Sequence, residues 1–288
     1  MLSVLPEVAK EQCFAMHGGT AINLFVRDMP RLSVDIDLTY VDIDSRERTV
    51  LAINEGLASI KNRIEHARLT TRIHHKKDTC KLLINDNEVI IKIEVNMVAR
   101  GLIAEPQILS LCKAAQEDFD ASCTMTLVSH GQLYGGKLCA ALDRQHPRDL
   151  FDVKGLFDNE GLNDEIKQGL IYGLLCANRP TYEMLDPNLL DQRSTFENQF
   201  KGMSQQAFTY DEFEEVRYRL IESVRKALSA QDKAFVLSCH RLEPDWSIYD
   251  YQAFPAVKWK LMNLERFRRE KPKSYKEQTK LLERIFET

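Results

Sequence analysis

No stretch of the sequence stays apolar for the length that a membrane span requires. The opening segment MLSVLPEVAKEQ places Glu, Lys and Pro where a secretory leader would have its apolar run, so a cytoplasmic protein with no membrane partner is the expectation. Paired cysteine spacings are missing as well. The 7 cysteines lie far apart, contain no C-x-x-C and are odd in number, which argues against a disulfide framework and against a zinc site. Nor is there a surplus of positive charge. With 39 Lys+Arg against 43 Asp+Glu the net charge is -4, so the chain as a whole does not attract nucleic acid, and any RNA contact must come from a local basic patch. Two runs qualify, Arg72-Ile73-His74-His75-Lys76-Lys77 and Arg266 to Lys273, although a solvated face or tail is the simpler reading of each. Low-complexity and disorder signatures are absent too.

What remains is an ordinary folding composition, 44% hydrophobic and 28% charged, in 288 residues, enough for two modest domains. Short apolar runs with turn signals give way to longer segments of helical period between Arg100 and Pro106, which sets the expected domains at 1–104 and 105–288. In the first part, Cys13 to His17 reads as a buried strand, Gly18-Gly19 as a tight turn, and Thr20 as the cap of a helix. Ser33 to Tyr40 alternates polar and apolar residues, as a half-buried strand does, with Asp35, Asp37 and Thr39 on one face. A helix is expected over 49–66. Lys81 to Ile84 and Val89 to Val95, joined through Asn85-Asp86-Asn87, read as a hairpin whose second arm turns Lys92, Glu94 and Asn96 away from Ile91, Ile93 and Val95. Helices are expected near 106–117, 129–142, 148–158, 162–177, 210–229, 231–240 and 254–270, with breaks at Pro147, Pro180, Pro187 and Pro244.

Two carboxylates at i and i+2 of a strand project together and are able to hold a divalent ion between them. Magnesium takes hard oxygen ligands and fills its shell with phosphate oxygens and water, so such a pair calls for a triphosphate beside it. A glycine turn that opens a helix supplies a place for one, because backbone N–H groups approach phosphate closely where no Cβ intervenes. Taken singly, Gly18-Gly19 is only a turn, and Asp35 and Asp37 only the wet face of a strand. In this order they form a candidate nucleotide site.

The stretches HGGTAINLF (17–25), RLSVDIDLTY (31–40), IKIEVN (91–96), GGKLCAALDR (135–144), PRDLFDVKGL (147–156) and NRPTYEMLDPN (178–188) together resemble the AbiE-type nucleotidyltransferase toxins of type IV toxin–antitoxin systems, within the DNA polymerase β-like nucleotidyltransferase fold. The resemblance implies an α/β core, a mixed sheet with helices, followed by a mainly helical C-terminal domain. It implies that Gly18, Gly19, Thr20 and Ser33 bind nucleotide, that Asp35 and Asp37 hold Mg2+ or Mn2+, and that Lys137 and Asp152 of the helical part serve the same reaction. Glu94 is the third candidate acid, either binding metal or taking a proton, while Lys92 on the same face offers it a simple ion-pair partner. For Arg148, Asp149 and Asp152 a helix-start cluster is the alternative to a catalytic role. The implied reaction is transfer of NMP from an NTP to a hydroxyl, such as the tRNA 3′ end or the protein itself, in abortive infection and phage defence, with a cognate antitoxin that acts without a stable complex. Two other readings stay open, a small-molecule transferase of the antibiotic-modifying sort and a nucleotide-binding toxin without turnover.

Overall fold

In the computed structural model the described residues are 1–67, 71–86 and 89–287. They fall into two compact units, Met1–Ser129 with Met203–Gln206, and His130–Gly202 with Ala207–Thr288.

The first unit is built on a seven-stranded sheet in the order β3-β4-β5-β2-β1-β7-β6. Its strands are β1 (Phe14–His17), β2 (Asp35–Tyr40), β3 (Arg72–Lys76), β4 (Lys81–Asp86), β5 (Val89–Asn96), β6 (Gln107–Ser110) and β7 (Thr124–Leu127). β2 runs parallel to β5 and β1 parallel to β7, and the other neighbours are antiparallel. The helices are α1 (Leu5–Ala9), α2 (Gly18–Ala21), which continues as a π-helical turn over Ile22–Val26, α3 (Arg46–Ala67) and α4 (Lys113–Phe119). Alternation in the strands separates two faces. Ile73, Leu82, Ile84, Ile91, Ile93, Ile36 and Leu38 are buried on one of them. On β3 and β4 that face is covered by α3, whose Ile53, Leu57, Ile60 and Ile64 are buried at helical spacing.

Three expectations change. The segment expected as one helix over 106–117 is strand β6 followed by α4, because Gln107–Ser110 pairs with Thr124–Leu127, a long-range partner that overrides a short helical pattern. The sheet therefore continues past the composition shift, and the first unit extends to Ser129 rather than 104. Thr20 is not a cap: the helix begins at Gly18, with His17 at the N-cap and no side-chain cap bond, and Thr20 is buried inside it. The basic run from Arg72 supplies strand β3. Of the expected hairpin turn, Asn87 lies outside the described residues.

The second unit is helical: α5 (His130–Arg144), α6 (Pro147–Asn159), α7 (Asp164–Cys176), α8 (Thr181–Leu185), α9 (Arg193–Gln199), α10 (Tyr210–Ala227), α11 (Ala230–His240), α12 (Pro255–Glu270) and α13 (Pro272–Glu287). The basic run at 266–273 thus ends α12 and opens α13. Among the described residues no helix is long and apolar enough to cross a membrane.

α5 and α7 meet backbone to backbone. An added Cβ at Gly169 would lie 1.8 Å from the Gly131 carbonyl oxygen, one at Gly135 would lie 2.1 Å from the Gly169 carbonyl carbon, and one at Gly131 would lie 2.3 Å from the Glu165 carbonyl oxygen. Gly136, the next residue on α5, meets nothing within 4 Å. Gly169→Ala is expected to destabilise the second unit by about 3 kcal/mol or more and lower Tm by roughly 10 °C. Gly136→Ala should instead hold or raise Tm, since it removes about 0.5–1 kcal/mol of glycine's helix penalty. Thermal melts of the two variants check both directions.

Candidate active site

β1 delivers His17 to a position opposite Asp37, and the chain then turns at Gly18 with φ of 79°. Only glycine takes this conformation without strain, and the space demands it as well: a Cβ on Gly18 would lie 2.7 Å from Asp37 Oδ2. A Cβ on Gly19 would lie 2.8 Å from Arg31 Nη2 and 3.2 Å from Ser33 Oγ. Thr20 Oγ1 donates to the Asp35 carbonyl oxygen and sits 2.9 Å from Ser33 Oγ, while Asn23 Nδ2 donates to the Gly19 carbonyl at 2.9 Å. Gly18, Gly19, Thr20, Ser33, Asp35 and Asp37 are therefore one cluster. Ser33 also lines a cavity of about 600 Å³ with Leu24, Met29, Leu32 and Phe119, a size that holds a small ligand.

Parallel pairing of β2 with β5 sets Lys92 beside Asp35 and Glu94 beside Asp37. Lys92 Nζ lies 3.8 Å from Asp35 Oδ1 and 3.2 Å from Glu94 Oε2, and Lys81 Nζ lies 2.8 Å from Glu94 Oε1. Burial by itself would raise the Glu94 carboxyl, but hydrogen bonds from Lys81 and Lys92 outweigh it and hold the group below the ordinary carboxylate range. Burial likewise opposes the charge on Lys92, and Asp35 and Glu94 overcome it, so the ammonium is held above its ordinary value. The arrangement suits a divalent ion. Two hard carboxylates share a face beside the Gly18 turn. Among the described residues no group of three or more His, Cys, Asp or Glu side chains is able to hold an ion by itself, so phosphate oxygens and water would have to complete its shell.

In the second unit, Lys137 of α5 is 6% exposed and lies 2.9 Å from Asp149 Oδ1 and 2.9 Å from Asp152 Oδ2. The two aspartates are one helical turn apart near the start of α6, with Pro147 in its first turn and the His146 side chain accepting from the Arg148 amide. Asp149 also accepts from Arg144 Nε at 2.5 Å and Nη2 at 3.0 Å. Burial would raise the Asp149 carboxyl, yet Lys137 and then Arg144 hold it well below the ordinary range. Three charged residues of these two separate clusters are not singled out by the sequence. Arg31, buried against Gly19, precedes Ser33 by two residues, and Lys92 shares the Glu94 face. Asp149 was legible only as a helix-start acid, although its i, i+3 spacing to Asp152 was the signal.

A family model described as nucleotidyl transferase AbiEii toxin, type IV toxin–antitoxin system, matches residues 1–263. No curated protein matches the chain. Among solved structures the chain is similar to MenT4, a nucleotidyltransferase toxin from Mycobacterium tuberculosis H37Rv. The two are 14% identical with a TM-score of 0.62, and the match covers 91% of this chain and 90% of that one. At that identity the likeness is one of fold.

Because the folded-state pKa of Asp149 is depressed, its contribution to stability is complete above the unfolded value near 3.9 and is lost as pH falls below it toward the folded value. Acid unfolding monitored by circular dichroism should show this loss in the wild type and a flatter profile in Asp149→Asn. Asp149→Ala, which leaves the buried Lys137 ammonium with Asp152 alone of its two carboxylates, should cost about 3 kcal/mol at neutral pH.

Proposed function

Since the chain belongs to the AbiEii family of nucleotidyltransferase toxins of type IV toxin–antitoxin systems, we propose that it transfers a nucleoside monophosphate from an NTP to the 3′ hydroxyl of tRNA, releasing pyrophosphate. The observation that carries this reading is the placing of Asp35 and Asp37 on one face of β2 directly beside the Gly18-Gly19 turn, whose backbone approaches the Asp37 carboxylate too closely to admit a side chain. In this reading the acceptor hydroxyl attacks the α-phosphorus, the bond to the bridging oxygen of pyrophosphate breaks, and the hydroxyl proton passes to solvent or to a carboxylate. Asp35 and Asp37 would hold Mg2+ or Mn2+, whose charge draws electron density from the phosphates. Gly18, Gly19, Thr20 and Ser33 form the phosphate cradle, with Arg31 supplying fixed positive charge. Glu94, kept ionised by its two lysines, is a weak base, so its part is electrostatic. Lys137 is proposed to serve the same reaction, with Asp149 and Asp152 as positioning residues for its ammonium. The toxin family implies a cognate antitoxin. We place the activity in the cytoplasm, where NTPs and tRNA are found, in defence against phage.

Incubating the purified protein with each labelled NTP, divalent ion and total tRNA tests the reading: label should enter RNA. Asp35→Ala and Asp37→Ala should abolish incorporation with the fold retained, and near wild-type activity in either would remove the site assignment. Lys137→Ala should weaken NTP binding and cut turnover by roughly 10²–10³, with Lys137→Arg recovering only part because a planar fork replaces a point charge. NTP titration followed by calorimetry is the measurement. Unchanged nucleotide affinity with lost tRNA binding would move this lysine to the acceptor.

A further inference from the structure

Strand pairing extends each acidic position of β2 sideways into a row across the sheet. Asp37 is opposite Glu94, Glu94 opposite Lys81, and Lys81 opposite Lys76. Asp35 is opposite Lys92, Lys92 opposite Leu83, and Leu83 opposite His74; in the next row Ile90 is opposite Asn85 and Asn85 opposite Arg72. Residues directly opposite in neighbouring strands project from the same face. The face that bears Asp35 and Asp37 therefore becomes basic toward its edge, ending on Arg72, His74 and Lys76, all exposed. Glu94 engages Lys81 and Lys92, but among the described residues neither Arg72 nor Lys76 forms an ion pair. Cations also guard an edge strand against pairing with another chain, but that role is indifferent to the face they occupy. Here all three lie on the acids' face, while Ile73 is buried on the other and His75 is hydrogen-bonded to Asn54 of α3.

We propose that this edge, Arg72, His74 and Lys76 with Lys81 and Lys92 behind them, is the surface that guides the phosphodiester backbone of the RNA acceptor to Asp35 and Asp37. The inference rests on the transfer reading above for what the RNA does once there. Three strand spacings separate β3 from β2, about 14 Å, so the edge cations meet the strand a few nucleotides from its reacting end. The two-residue repeat along β3, about 6.8 Å, is of the order of the distance between successive phosphates. Ile90, 65% exposed, and Leu83 lie between the cations and offer apolar surface to a base. Contacts of this kind position a backbone without reading its sequence, so binding is tolerant of sequence and sensitive to salt.

The test is fluorescence anisotropy of a short 5′-fluorescein-labelled single-stranded RNA against the full chain over a series of KCl concentrations. Arg72→Gln/Lys76→Gln should bind about tenfold more weakly, with a log K against log salt slope smaller by about 1.4, near 0.7 for each phosphate released. Its NTP affinity should be that of the wild type, which also shows that it is folded. Arg268→Gln/Arg269→Gln, in the other basic run, should bind RNA as the wild type does. Unchanged affinity and slope in the β3 variant, loss in the α12 variant alone, or no RNA binding by the wild type overturns the proposal. Transfer assays on the same proteins separate it from the catalytic reading. A β3 variant with wild-type KM for RNA sinks the guiding surface and leaves transfer standing; lost binding in that variant, with no transfer by the wild type, does the reverse.

Discussion

The register between β2 and β5 is the constraint on which the first unit depends. Side chains of a strand alternate with a period of two, so a slip of one residue would drive Asp35 and Asp37 into the layer now filled by Ile36, Leu38, Ile91 and Ile93. Burying two carboxylates without partners costs far more than a marginally stable domain tolerates. The apolar face is thus the device that aims the acids: it fixes the pairing, and the pairing brings Glu94 and Lys92 to them.

Glycine is used in two different ways. At Gly18 both the left-handed backbone and the close approach to Asp37 require it. At Gly131, Gly135 and Gly169 the backbone is ordinary helix, and the missing Cβ instead lets α5 and α7 touch. That contact locks the helix which carries Lys137, and the Asp149 and Asp152 carboxylates hold its ammonium from α6. Such a buried charge network contributes little net stability, but removing one member is costly, so the lysine is held rigidly in place.

A net charge of -4 is compatible with the proposed polyanionic acceptor because charge is partitioned by location rather than by composition. On the open face of the first unit, carboxylates occupy the middle of the sheet and the edge strand is basic. In the proposed reading the arrangement separates a place for metal and triphosphate from a place for a nucleic-acid backbone within one surface.

The sequence by itself determined the elements whose signals are local: the alternation of Ser33 to Tyr40, the glycine turn at Gly18-Gly19, the helices expected near 148–158 and 254–270, and the family, through its ordered motifs. Tertiary structure decided what depends on partners distant in the chain. β6 is a strand only because Thr124–Leu127 lies beside it, and Arg72–Lys76 is a sheet edge rather than a helix face or tail because β4 pairs with it. Thr20 lost the cap role that its residue type favours because its hydroxyl meets Ser33 and the Asp35 carbonyl. The partners of Lys137, and Lys81 as the second partner of Glu94, were equally beyond the sequence, whereas the Lys92–Glu94 pair was legible in it. Periodicity reports which side of an element is buried, whereas an ion pair or a strand register depends on the distance between segments that only folding brings together.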